Sequence, residues 1–233
     1  MSAFPTHHDG ALAISPAMLR NIPIFANLGE DEIAQLVAVA AIRSFPKNTV
    51  VIHEGDHSDS IYLINSGKVK VLISNSEGQE LILTLLGPGE YFGELALIDS
   101  QPRSATVVSM TPVHFTVIAK PDFDRCLANN PGIASRIMIE LAQRLRNADL
   151  KIEGLALMDV YGRVAHTLLQ LAQSDNGEML LNQKLSQQDI ANMVGASREM
   201  VSRTLKDLAL KGYIRLVGKN IVVNPARFQK EFL

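Results

Sequence analysis

The sequence predicts an α+β protein in three successive parts: a strand-rich N-terminal roll, one long helix, and a smaller, mostly helical C-terminal domain. Three observations carry this. Between Ile42 and Ile118, short β-branched runs alternate with turn signals, and Gly67, Gly78 and Gly89 recur every eleven residues. After Lys120 the alternation stops, and PGIASRIMIELAQRLRNADLKIEGLAL runs for more than twenty residues without a breaker. The charge also divides: residues 1–154 hold 12 basic and 17 acidic residues, whereas residues 155–233 hold 10 basic and 7 acidic. The front is anionic and the tail mildly cationic, so a polyanion would prefer the tail.

Residues 1–19 are assigned to a flexible tail, although SPAMLRNIPIF, with Pro16 in a first helical turn after Ser15, reads as a short helix. Within residues 20–130, LGEDEIAQLVAVA reads as a helix with Glu30, Asp31 and Glu32 at its head, where acids are favoured. The runs TVVIH, SIYLIN, KVKVLIS, LILTLL, SATVVS and HFTVIA read as strands. Their spacing is too short for βαβ units, and no GxGxxG is present, which argues against a dinucleotide-binding fold.

Along residues 131–154, Ala134, Met138, Leu141, Leu145, Ala148 and Ile152 step by 4, 3, 4, 3 and 4, a heptad seam. This stripe needs an apolar partner. Either the helix packs on its own sheet domain or it pairs with a second copy; the length of the helix favours the homodimer.

Residues 155–233 form the second domain. SQQDIANMV opens on Ser186 with Asp189 three residues on, close to a capping-box pattern; Gly195 supplies a tight turn, and SREMVSRTLKDLALKG follows. Helix, short turn, helix is the helix-turn-helix outline, and the two short strands around Gly218 read as a wing. Ile190, Ala191, Val194, Val201 and Leu205 can form the inner face. Ser197, Arg198, Glu199, Ser202 and Arg203 then stand near the end that enters the major groove. Arginine suits guanine O6 and N7, glutamate suits cytosine N4, and Lys206 and Lys219 suit flanking phosphates. The plainer reading is a polar helical hairpin that binds protein.

No apolar run is long enough to span a bilayer, and the N-terminus lacks a basic segment followed by an apolar one. Cys126 is the only cysteine, which suits a reducing cytoplasm. No HExxH or nucleophile motif points to an enzyme, and no metal site is expected.

The stretch FGELALIDSQPRSATV sets Gly93 and Glu94 ahead of Arg103, Ser104 and Ala105. Backbone N–H groups of Gly93, Glu94 and Leu95 can approach a phosphate, Arg103 can neutralise it, and Ser104 and the Ala105 N–H can add donors. Glu94 can take a sugar hydroxyl and orient Arg103. The alternative is a Glu94–Arg103 pair that only pins a loop.

This stretch resembles the phosphate-binding cassette of cyclic-nucleotide-binding domains, and SREMVSRTLKDLALKGYI resembles the recognition helix and wing of bacterial regulators of the cyclic AMP receptor protein/FNR family. The likeness spans about residues 20–224. It implies a β-roll of the double-stranded β-helix or jelly-roll type, a dimerisation helix and a winged helix-turn-helix. It implies Glu94 on the ribose, Arg103 and Ser104 on the cyclic phosphate, and Arg198, Glu199 and Arg203 on the bases of TGTGA-type half-sites in a palindromic operator, with Gln187 and Ser197 on phosphates. The turn at 174–178 could, by its location, touch RNA polymerase as a further partner. One departure stands out: where the cyclic AMP receptor protein places a Thr-Ser pair against adenine, this chain has Ala148 and Asp149. Cyclic AMP stays the favoured effector. Cyclic GMP or cyclic di-GMP, aided by Arg144, is the alternative, and an effector-independent DNA-binding dimer the rival. A single cysteine cannot hold the four-cysteine iron–sulfur cluster of the FNR branch.

Overall fold

The computed structural model describes residues 14–175, 178–181, 185–218 and 220–231. The chain forms two compact units, one of residues up to 71 together with 85–141, the other of residues 72–84 together with 142–233.

In the first unit, α1 (Pro16–Arg20), a 3-10 turn (Pro23–Phe25) and α2 (Glu30–Val39) precede the strands. Residues 16–19, grouped with the tail by sequence, belong instead to the fold: Leu19 is fully buried, with Ile22, Ile24 and Phe25 beside it in one apolar cluster. The short helix read over SPAMLRNIPIF is present as α1 and the 3-10 turn that follows it. The acids at the head of α2 do what their position suggests, the Glu32 carboxylate accepting from the Gly29 N–H at 2.7 Å.

Eight strands follow: β1 (Ala41–Phe45), β2 (Val50–Ile52), β3 (Ser60–Ser66), β4 (Val69–Ser74), β5 (Glu80–Leu86), β6 (Tyr91–Phe92), β7 (Thr106–Ser109) and β8 (Val113–Ala119). They form two four-stranded sheets, β1-β8-β3-β6 and β2-β7-β4-β5. The first strand pairs antiparallel with the last, Ala41 opposite Val117, so the chain rolls up rather than meandering. Ile52, Ile64, Val69, Leu86, Phe92, Val107, Val113 and Phe115 make one core cluster of the roll. Tyr62 stacks on Phe92 (5.1 Å, 5°), and Phe115 meets both edge-on.

Gly67 turns β3 into β4 at φ +86°, and a Cβ there would lie 2.3 Å from the Pro112 carbonyl oxygen and 2.9 Å from Val113 Cα. Backbone cannot step aside as a flexible side chain can. Gly67→Ala is therefore expected to cost about 2–4 kcal/mol, read as a lower urea midpoint at unchanged m.

The helix α3 (Glu94–Asp99) follows β6, and α4 (Lys120–Asn129) follows β8. Cys126 on α4 is buried; burial, and secondarily the charge of Glu32, pushes its thiol up to about 11. A raised thiol pKa keeps the unreactive protonated form dominant at neutral and mildly alkaline pH. Cys126 should resist iodoacetamide at pH 8 in the folded protein and react on unfolding, as mass spectrometry would record.

One helix, α5 (Pro131–Leu157), covers the predicted span and three residues more. It is apolar on more than one side. Ile133 and Ile137 are buried in the first unit's helical cluster, and Leu141, assigned to the seam by sequence, packs against that cluster too. Met138, Leu145 and Ile152 remain 62%, 64% and 64% exposed, and Ala148 is exposed as well. The core-facing stripe and the seam are interleaved at helical spacing, so the sequence pattern merged them.

The second unit continues through α6 (Val160–Leu171), β9 (Ala172–Asp175), β10 (Glu178–Leu181), α7 (Gln187–Val194), α8 (Arg198–Leu210), β11 (Ile214–Val217), β12 (Asn220–Val223) and α9 (Pro225–Glu231). Its strands form a sheet in the order β11-β12-β10-β9. The final helix α9 was not anticipated; it exists to bury Phe228, which sits 5.5 Å from Tyr213 in a tilted ring pair. Among the described residues, no helix is long and apolar enough to cross a membrane, and no cluster of His, Cys, Asp and Glu is placed to hold a metal ion.

Candidate phosphate cradle and DNA-reading face

The first unit gathers Gly93, Glu94, Leu95, Arg103, Ser104 and Ala105 around the start of α3. Gly93 is its N-cap residue, at φ +88°, ψ +3°, and no side chain caps the helix. The need for glycine here is steric on two counts: the left-handed backbone, and a Cβ that would lie 2.5 Å from Arg103 Nη1 and 3.0 Å from the Ser60 carbonyl oxygen. The sequence reading gave Gly93 the task of uncovering backbone N–H groups; the structure adds that its missing side chain makes room for the guanidinium.

Arg103 is 3% exposed. Its Nη1 donates to the Gly93 carbonyl (2.6 Å), and its Nη2 donates to the Ser60 carbonyl (2.6 Å) and to Ser58 Oγ (2.7 Å). Glu94, 2% exposed, does not take these hydrogen bonds; it acts on Arg103 through its charge. The expected Glu94-oriented arginine is thus replaced by one oriented by carbonyls. Desolvation lowers the Arg103 pKa, while Tyr62, Glu94, Asp59 and Asp56 pull it upward.

Three of the five N–H donors of the guanidinium are spent on protein acceptors, and buried Nε has no hydrogen-bond partner among the described residues. A buried donor left unmet costs about 1–3 kcal/mol. Ser104 is exposed and Ala105 buried; Leu95, 42% exposed, leaves an apolar surface on α3.

Sequence reasoning missed Ser58 and Ser60. They lie more than forty residues before Arg103, Ser58 in what reads as an ordinary turn and Ser60 at the head of the SIYLIN strand, and only the roll brings them beside it. The Arg103 N–H donates to the Asp56 carbonyl (2.9 Å), and the Gly55 N–H donates to the Arg103 carbonyl (2.8 Å). Arg144, Ala148 and Asp149 belong to the second unit, Arg144 half-buried and the other two exposed. Lys151, two residues beyond Asp149, was also missed. It donates to the carbonyl oxygens of Ile82 and Leu83 on the β5 edge strand, and desolvation lowers its pKa.

The second unit holds the helix-turn-helix. Ser186 and Asp189 form the capping box that opens α7: Ser186 Oγ accepts from the Asp189 N–H, and Asp189 Oδ2 accepts from the Ser186 N–H, each at 3.0 Å. Gly195 closes α7 in the left-handed region at φ +62°. Ile190, Ala191, Val194, Val201 and Leu205 are all buried, the inner face read from the sequence. Arg163 on α6, unnoticed in the sequence, braces the motif: Nε donates to the Val194 carbonyl and Nη1 to the Met158 carbonyl, each at 2.8 Å.

Arg198, Glu199, Arg203 and Lys206 are exposed and Ser202 is half-buried, whereas Val201, Thr204, Leu205 and Leu208 are buried. Ser197 is the N-cap of α8, its Oγ accepting from the Met200 N–H at 3.2 Å, which leaves the hydroxyl proton to donate. Its own backbone N–H and the Ser197 hydroxyl hold the Glu199 carboxyl below the usual carboxylate range, so it stays charged at neutral pH. Gln187 is exposed at the start of α7. Lys219, expected near a phosphate, lies outside the described residues, as do residues 176–177 of the turn assigned to polymerase.

A β-roll with a buried arginine beside a short helix, followed by a helix-turn-helix with an exposed polar reading face, defines a DNA-binding transcription regulator that carries a small-ligand domain. The cyclic nucleotide-binding domain family matches residues 42–130, and the Crp-like helix-turn-helix domain matches residues 162–231. The chain is 36% identical to the CRP-like cAMP-activated global transcriptional regulator of Mycobacterium tuberculosis, over 89% of this chain and 94% of the relative. It is 37% identical to the cAMP-activated global transcriptional regulator CRP of Escherichia coli, over 80% and 90%. The solved structure of the c-di-GMP-responsive global regulator CLP of Xanthomonas campestris is similar at a TM-score of 0.71 and 29% identity, over 84% of this chain and 99% of that one. The chain belongs to the cyclic AMP receptor protein/FNR family, whose members here are transcription regulators and not enzymes.

Proposed function

We propose that the protein is a homodimeric, cytoplasmic transcription regulator whose affinity for a palindromic operator rises when a cyclic nucleotide, cyclic AMP first, occupies the β-roll. The observation that carries the effector reading is Arg103: a buried guanidinium, pre-set by three protein acceptors, with its Nε–H unmet. A cyclic phosphate oxygen supplies that acceptor, and Glu94 is the group for the ribose. Arg198, Glu199 and Arg203 read TGTGA-type half-sites, while Gln187, Ser197, Lys206 and Lys219 take phosphates. The seam of Met138, Leu145, Ala148 and Ile152, exposed in one chain, pairs with its copy.

Two recognition helices must stand about 34 Å apart to enter successive major grooves. An effector that biases the arrangement of the paired long helices changes that spacing, which couples two sites through two states. Cyclic AMP is favoured because the M. tuberculosis and E. coli relatives are named as cAMP-activated. A second reading, cyclic di-GMP, is favoured by the X. campestris neighbour and by Ala148 and Asp149 standing where the adenine-facing Thr-Ser pair is expected.

The test is calorimetric titration of the purified dimer with cyclic AMP, cyclic GMP and cyclic di-GMP, paired with operator binding at fixed salt. The expected result is saturable binding of one of them and tighter binding to a TGTGA-type palindrome in its presence. Heat from none of the three, with operator affinity unmoved, would leave a constitutive DNA-binding dimer.

A further inference from the structure

We propose that acidic residues encircling the cradle restrict it to phosphates of a single negative charge, with Asp56 and Asp59 as the specificity-determining residues. This rests on the effector reading above and adds the charge state of the ligand to it.

The two segments that hold Arg103, the 53–60 loop and the start of α3, carry acids beside their contacts with it. Asp56 accepts the Arg103 backbone N–H through its carbonyl at 2.9 Å. Asp59 lies between Ser58 and Ser60, the two residues that take Nη2. Glu94 follows Gly93, whose carbonyl takes Nη1. Residues 53–60 contain Glu54, Asp56 and Asp59 and no lysine or arginine; residues 93–105 contain Arg103 as their sole cation. Lys120, whose N–H joins the Asp59 carbonyl, commits its ammonium to Asp124 at 3.3 Å and to the Leu97 carbonyl. Asp56 and Asp59 are exposed and Glu94 is buried, and all three carboxylates are near enough to act on Arg103 through their charges.

A phosphodiester, cyclic or open, carries one negative charge, and a single guanidinium neutralises it. A phosphomonoester carries about −1.5 to −2 at neutral pH. Neither of the two chain segments around Arg103 offers a further lysine or arginine to its second charge, which faces Asp56 and Asp59, and like charges brought together at a binding site are penalised. The acids therefore separate a cyclic nucleotide from the linear mononucleotide that its hydrolysis yields, two molecules with the same base and the same sugar. An effector domain that rejects the breakdown product reports only the intact signal.

Displacement of a fluorescent cyclic nucleotide from the full-length dimer would test this with four linear competitors: AMP, GMP, and the methyl phosphodiester of each. The methyl ester removes the second charge without closing the ring. The methyl diester is expected to compete at least about tenfold better than the monoester of the same base, and Asp56→Asn/Asp59→Asn should narrow that gap to about threefold or less. Both side chains are exposed, and an unchanged melting temperature would show that the fold is intact. A wild-type gap below about threefold, a gap that survives in the double variant, or linear ligands of both kinds that fail to compete would each overturn charge selection while leaving cyclic nucleotide binding in place. Absence of any cyclic nucleotide binding would overturn the effector reading itself, and this inference with it.

Discussion

Arg103→Ala is expected to weaken cyclic nucleotide binding at least about hundredfold and to abolish the effector's influence on operator affinity. Truncating one partner of a buried charge pair costs about 2–5 kcal/mol, much of it from leaving the other charge unmatched. Here the phosphate would face buried Glu94 with no cation between them. Arg103→Lys should restore little. Lysine brings a charge but no planar fork, and it cannot bridge the Gly93 carbonyl, the Ser60 carbonyl and Ser58 Oγ while also serving a phosphate. Titration calorimetry reads the loss directly. Sedimentation analysis of the same samples should find them dimeric, because the seam residues Met138, Leu145 and Ile152 are untouched. A variant that keeps full affinity would move the ligand away from α3 altogether.

Replacing Arg198 or Glu199 with alanine is expected to erase most of the preference for an operator over a scrambled duplex. A well-placed bidentate pair contributes about 1–3 kcal/mol of base discrimination, so each variant should lose roughly ten- to hundredfold in the ratio of the two affinities. The salt dependence separates the roles. Lys206→Ala should weaken both duplexes alike and lower the slope of log affinity against log salt by about one unit if Lys206 meets a phosphate as proposed. Glu199→Ala should leave that slope nearly unchanged, because its carboxylate contacts no phosphate. Equal discrimination by the Arg198 and Glu199 variants and their parent would place base reading on another face of α8.

Much of the second unit could be read from the chain because its signals are local. Ser186 with Asp189, Gly195 and Ser197 each announce a helix end within a few residues, and the structure places all of them as caps. The polar residues of α8 follow one helical face, so exposure came with periodicity. Arg163 escaped notice because its acceptors, the carbonyls of Met158 and Val194, are backbone groups whose position depends on how α6 meets α7.

The roll divides differently. Its strands and the glycines between them were legible, because β-branched runs and left-handed turns are local preferences. Gly67 shows the limit: its positive φ is a local turn preference, but the intolerance of a Cβ comes from Pro112 and Val113, which only folding brings near. In α5, Leu141 read as one more seam residue until the cluster of Ile133 and Ile137 claimed it.

Taken alone, the amino-acid order determined the succession of roll, long helix and winged helix-turn-helix, together with the pairing of Gly93 and Glu94 with Arg103 as a candidate phosphate grip, since these rest on spacing and residue type along the chain. Tertiary structure decided how that grip is built. Arg103 is aimed by Ser58, Ser60 and the Gly93 carbonyl rather than by Glu94, and is ringed by Asp56 and Asp59 from a distant loop. The physical reason is that a buried guanidinium must find acceptors wherever the surrounding backbone presents them, and carbonyl positions depend on the closing of the roll rather than on any sequence pattern.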